Sequence, residues 1–473
     1  SSNIITLKPA ASVQPVITFS VITDNALAPS GHLIVGWKNL FSNSVASNLI
    51  PVNNFVIDGS NNGTDSRDLT FQNTASAYTG ARILTFYGSC TGATIKNCKV
   101  VNKQTTSNTP VCIYFGTQST GPTVASKPQS CLVSNCDLFV NGGGSGGGGV
   151  GVQCATRGTV VGAMGGMSDV TVTRCFIVAR QKAIHFNSNS NAVISNNTCR
   201  IVNGVSGLMC AGISHNSSNT SSGTMNIYGN VLDALTSANT FAGTYGMIGI
   251  ECAGAPASGS YTYNVYNNMI SGFKFTAAAT ANNMTYRGIA FGSTISNNYV
   301  YHNSIRMDNQ TNLTGLTGDT CSGIGFAAGS PSGILIAKNN IIWIDQTGGA
   351  GILKRTATGT LTSDYNVIYA AGSANTGRYN YANYATLANW QSAGYDTNSQ
   401  SVDPTTTPNA WASATDLHFS PTDGGAYPMQ GVPQISGITT DIDGDARSAI
   451  CWPGADELPG VDVPVELSGF DAE

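Results

Sequence analysis

Three groups of side chains in this chain have types and spacings that could do chemistry. His185 and Glu251 each follow directly on the Ile of a small-Ile-x-apolar phrase, at Ile184 and Ile250, so an imidazole and a carboxylate share one column of a repeat. Two rungs of ~4.8 Å put them about 10 Å apart, near the upper limit for the two groups that invert a glycosidic bond, and only one of them is a carboxylate. Arg287, His302, Arg306 and Asp308 fall around one later coil. A guanidinium there could remove a proton beside a carboxyl group, with a cation to acidify it; the alternative is a scatter of loop charges in weak ion pairs. Asp441, Asp443 and Asp445 alternate like the opening ligands of a calcium loop. Gly444, however, stands fourth instead of sixth and no Glu stands twelfth, so calcium is one reading and a turn is the other. Nothing suggests another cofactor. The run around Ser145 matches a nucleophile-elbow pattern only because it is nearly all glycine.

Elements that repeat must position these groups. An apolar-x-Asn-(Asn or Cys)-x-apolar phrase recurs from Ile95 to Ile368, and the last residue of each central pair gives one column: Cys98, Cys136, Cys175, Asn197, Asn230, Asn268, Asn298, Asn340 and Asn366. In stacked coils like side chains lie about 4.8 Å apart, where amides can bond up and down in a ladder and cysteine substitutes as a small buried hydrophobe. A second phrase falls between the copies. Its core positions are Ile113, Val152, Ile184, Ile213, Ile250, Ile289, Ile324 and Ile352, followed two residues on by Phe115, Cys154, Phe186, His215, Cys252, Phe291, Phe326 and Lys354. Strict alternation makes the residues between them an outward column: Tyr114, Gln153, His185, Ser214, Glu251, Ala290, Gly325 and Leu353. The position before each Ile is small, mostly glycine, which reads as a face open to close approach by a ligand or another chain. Intervals between copies vary, as they do when loops of a solenoid differ in length. The fold expected is all-β: a right-handed parallel β-helix of about ten coils with a small C-terminal cap.

Composition supports this. Charged residues are 10% of the 473, against about 25% in an ordinary soluble domain, while apolar residues still reach 41%. The net charge of −4 argues against nucleic acid, whose binders need a basic face. No apolar run approaches the roughly 18 residues of a membrane span. The 12 cysteines form no zinc spacing. Residues 1–50 read as N-terminal coils or cap, 51–370 as the β-helix and 371–457 as a C-terminal capping segment with a short helix within 384–393. Residues 458–473 read as a linker and the start of a truncated sorting domain.

Residues 54–73 and the repeated Ile-Ser-Asn-Asn phrases resemble the β-helix repeat of pectate-lyase-like proteins and of large surface proteins from Bacteroidetes-type bacteria. Trp390, Asp396, Asp403, Asp416 to His418, Asp441 to Arg447 and Gly454 to Glu457 are similar to the closing segment of such domains, and 463–470 to the opening of a type IX secretion sorting domain. This resemblance implies a secreted or cell-surface protein, and it specifies fold and export, not chemistry. The expectation is an adhesive or structural role, with self-association or an extracellular glycan as partner; the alternative is a polysaccharide lyase or glycoside hydrolase.

Overall fold

The structure is a computed structural model that describes residues 4–19, 33–35, 52–73, 82–88, 90–104, 110–118, 127–142, 148–157, 167–187, 189–205, 208–216, 221–238, 246–254, 258–277, 279–280, 284–292, 296–326, 333–406, 411–420, 429 and 431–458. The glycine-rich loop tip, most of the N-terminal fifty residues and the sorting-domain resemblance fall largely or wholly outside them. The chain is a parallel β-helix. Successive strands are dealt in turn to three long sheets, here sheets 1, 2 and 3, of 11, 12 and 12 strands. One coil runs through Ser258–Tyr266 in sheet 1, Met269–Ile270 in sheet 2 and Thr285–Phe291 in sheet 3. Among the described residues no helix is long and apolar enough to cross a membrane.

The Asn-Asn phrase makes the corner from sheet 1 to sheet 2. Its first residue is left-handed: Asn97, Asn135, Arg174, Asn196, Gly229, Asn267, His302, Asn339 and Tyr365 all have φ between 50° and 63°. Asparagine and glycine tolerate this region best. The second residue points inward. Asn268 Nδ2 donates to the Ile227 and Tyr266 carbonyls and to Asn303 Oδ1, while its own Oδ1 accepts from the backbone and side-chain nitrogens of Asn230. The same bonds link Asn197, Asn230, Asn268, Asn303, Asn340 and Asn366. Asn303 holds the rung expected of Asn298. Asn298 lies instead inside the sheet 1 strand Ser296–Tyr301, because the corner comes at His302. The ladder ends on Asp396, which accepts from Asn366, Ser399 and Trp390. Toward the N-terminus the cysteines continue the column, and all 12 cysteines are buried free thiols.

The two expected core columns are buried and in register through sheet 3. The glycine column before them does not face solvent. A Cβ on Gly249 would lie 2.6 Å from Ile270 Cγ2, a sheet 2 core atom, and 2.6 Å from the Gly288 carbonyl oxygen. Pairing skips this position in every rung. The irregularity turns two consecutive residues inward and lets sheets 2 and 3 approach.

At the C-terminal end, helix α1 (Leu387–Ser392), N-capped by Thr386, seats Trp390 2.5 Å from where a Gly377 Cβ would stand, closing the core. The chain then returns along the side of the solenoid. Trp411, Leu417, Phe419 and Trp452 pack on Met269, Ile341 and Val367, which face outward from sheet 2. Asn267 and Asn339 donate from corner positions to the carbonyls of Thr440 and Pro433, at 2.7 Å each. Buried Arg447 joins Glu457, Gly454 and Asn267.

Candidate functional site

Sheet 3 places His185, Ser214 and Glu251 on consecutive rungs of one outward column. Lys182 comes to them from the adjacent outward column, three residues before His185. Its Nζ donates to Ser214 Oγ at 2.8 Å and lies 3.3 Å from Glu251 Oε2, and Ser214 Oγ donates to the same carboxylate oxygen at 2.6 Å. Lys182 and Glu251 are almost wholly buried and Ser214 completely. In such surroundings an ion pair with a bridging hydroxyl keeps both charges only because each satisfies the other. Alternation hid Lys182: counted back by twos from Ile184 it falls inside, and only the two-residue inward step at Ala183 and Ile184 brings it out. His185 Nδ1 lies 3.4 Å from Gln153 Nε2. Burial, with the Lys182 ammonium and His215 nearby, holds the His185 imidazole well below its ordinary value, so it is neutral at pH 7.

The second group is dispersed. Arg287 lies on the outer face of sheet 3 and donates to the Asp319 carbonyl. Arg306 lies in sheet 2, bonds Asp308 at 2.8 Å and rests on the Trp343 ring. His302 turns the corner between sheets 1 and 2, with Nε2 3.1 Å from Asn339 Nδ2. Arg287 closes one coil and His302, Arg306 and Asp308 belong to the next, and they face different sides because three sheets send side chains in three directions. His215 and Lys354 belong to the core column. His215 Nε2 donates to the Asn189 carbonyl at 3.1 Å, which leaves Nδ1 to accept from the Tyr263 hydroxyl at 2.7 Å. Lys354 Nζ donates to the carbonyls of Thr356 and Thr358.

In the returning segment Asp441 Oδ1 accepts the backbone N–H groups of Asp443, Gly444 and Asp445, and Oδ2 accepts that of Glu457. This is a turn built around one carboxylate. Asp445 stands apart from the acidic cluster, and the third member is Asp456, which sequence spacing gave no reason to include. Oxygens of Asp441, Asp443 and Asp456 lie within 4.8 Å of one another and could hold a cation such as calcium. His418 Nε2 lies 3.4 Å from Asp443 Oδ2, and burial pushes the Asp456 carboxyl up to about 7.

A cleft of about 360 Å³ opens beside this turn, between the returning segment and the corner of sheet 1, with Tyr228, Tyr266 and Asn196 on its helix side. No known protein family matches the chain, and no curated protein is similar to it. Fold and site geometry therefore define the class: a parallel β-helix protein with a side-docked C-terminal segment.

Proposed function

We propose that this is a secreted or cell-surface β-helix with an adhesive or structural role, engaging a glycan or further copies of itself through its long lateral faces. The observation that carries the reading is the fate of the outward charges. Lys182 is tied to Glu251 through Ser214, Arg306 to Asp308, and Arg378 to Asp319. Groups that could move protons are thus occupied by one another, while sheet 1 carries half-buried tyrosines and amides suited to contact without chemistry. Export is proposed from the resemblance of the repeats and of 463–470 to pectate-lyase-like surface proteins. A polysaccharide lyase or glycoside hydrolase is the second reading, and it draws on the neutral imidazole of His185 one rung from Ser214. Incubation with pectins, alginates and glycosaminoglycans separates the two. Retention on insoluble polysaccharide, or self-association, without new reducing ends or unsaturated products supports adhesion; reproducible release of oligosaccharides overturns it.

A further inference from the structure

The cleft at the sheet 1 corner has the shape and lining of a binding site, and the adhesive reading leaves it unassigned. Ser195, Tyr228, Tyr266 and Tyr301 occupy one outward column on successive rungs, in register. The Tyr228 and Tyr266 rings stack at 4.8 Å with 5° between their planes. One rung before Tyr228 the column drops to Ser195, and one rung further to Thr173; their hydroxyls bond each other at 3.0 Å. The tyrosine stack therefore ends at Tyr228 in a step down to Ser195, which is itself buried; of this column Tyr228 and Tyr266 line the cleft.

Beside the step runs a second outward column, in which Asn264 Nδ2 donates to Asn226 Oδ1 at 2.8 Å. Opposite stands the turn 437–444, held over the corner by the bond from Asn267 to the Thr440 carbonyl. Exposed Asn196, on the helix side, offers an amide to the cleft, and Asp443 on the turn offers a carboxylate. Among the described residues no lysine or arginine lines it. The Asp441 charge is met by four backbone N–H groups and that of Asp443 faces His418.

We infer that this cleft binds an uncharged pyranose oligosaccharide. A sugar ring has an apolar C–H face that stacks on an aromatic ring, and an equatorial rim of hydroxyls that pair with amides and carboxylates. Tyr228 and Tyr266 on the cleft wall supply the first, and Asn196 and Asp443 the second. A uronate or sulfated chain would bring negative charge against two carboxylates with no lysine or arginine among the described lining residues, and is rejected. The site deepens the adhesive reading and rests on it.

The test is calorimetric titration of the full chain with neutral gluco-, xylo-, manno- and chito-oligosaccharides and with oligogalacturonate. Alongside it run Tyr228→Ala, Asp443→Asn and, as a remote control, Tyr381→Ala, each checked for an unchanged melting temperature. Binding of at least one neutral series is expected, weakened roughly tenfold by Tyr228→Ala, the scale of one aromatic contact. Asp443→Asn weakens it as well, Tyr381→Ala leaves it intact, and oligogalacturonate does not bind. Neutral binding that is indifferent to both cleft variants, preference for the uronate, or no binding of any soluble sugar overturns the inference. If Tyr228→Ala is still retained on insoluble polysaccharide like the wild type, the cleft is wrong and the adhesive reading stands; if the wild type is neither retained nor self-associates, the reading itself fails.

Discussion

Single side chains here are held by partners on neighbouring rungs, so a change at one is felt on the rung to either side. Asn268→Leu removes the donor to two carbonyls and to Asn303, leaves the Asn230 backbone N–H without its acceptor and takes one of three acceptors from the Asn230 side-chain amide. A loss of roughly 1–3 kcal/mol is expected, and an unchanged melting temperature would show that the ladder bonds contribute nothing. His215 makes a pH prediction. Burial pushes its imidazole from 6.5 down to about 4, against a smaller upward pull from the Asn189 carbonyl and Glu251. The unfolded chain therefore takes up this proton first: stability is at its plateau above pH 6.5 and falls as pH drops from 6.5 toward 4. The full shift is worth on the order of 3 kcal/mol. Asp456 and Glu457, pushed up to about 7 by burial, work in the opposite direction as pH falls. The comparison is thus between wild type and His215→Gln, whose melting temperature should fall less steeply from pH 6.5 to 4. Parallel curves would refute the assignment.

Strands and corners carry the next level of constraint. The inward glycine column lets the sheet 2 core residues Ile270, Ile305 and Ile368 meet sheet 3 at backbone distance, as the close contacts at Gly249, Gly288 and Gly351 show. Gly249→Ala should therefore cost about 1–3 kcal/mol through overpacking against Ile270 and the Gly288 carbonyl. Urea denaturation measures it. An alanine tolerated without loss would put the column on the outside, where alternation had placed it. A second amide ladder, missed in the sequence, stabilises the corner into sheet 3: Gln310 Oε1 accepts from the Phe275 N–H and Gln346 Oε1 from the Gln310 N–H. Its members sit in loops of unequal length, so no period announces them.

At the scale of the whole solenoid, the two ends differ. The C-terminal coil is covered by α1 and by the antiparallel strand Ala382–Tyr384. Among the described residues the first rung, Ile5–Leu7, Val16–Phe19 and Leu33–Val35, pairs on one side only, and near it Ile4, Ile5, Val13 and Val16 are 63%, 59%, 46% and 55% exposed. An open strand edge with apolar neighbours and little charge is a template for another chain. This chain is expected to self-associate through that end, seen as a concentration-dependent mass in light scattering, and Ile5→Lys with Val16→Lys should abolish it. A strictly monomeric protein at high concentration, or association untouched by the double variant, would end the idea. The glycine column offers no second docking face, since it is internal.

What the sequence by itself determined is what repeats locally: the parallel β-helix, the two core columns, the left-handed corner followed by an inward amide or thiol, and the helix near 384–393. Each follows from a few adjacent residues recurring coil after coil, because stacking like on like satisfies the same bonds each time. What only the tertiary structure decided depends on where one coil meets another. Asn297-Asn298 and His302-Asn303 both offer an asparagine, and the length of the sheet 1 strand chose the second. Lys182 reaches Glu251 across 69 residues, and Arg447 reaches Asn267 across 180. Variable loops set those juxtapositions, together with an irregular step in sheet 3 and the return of the C-terminal segment along the solenoid's side. None of these has a period to be read.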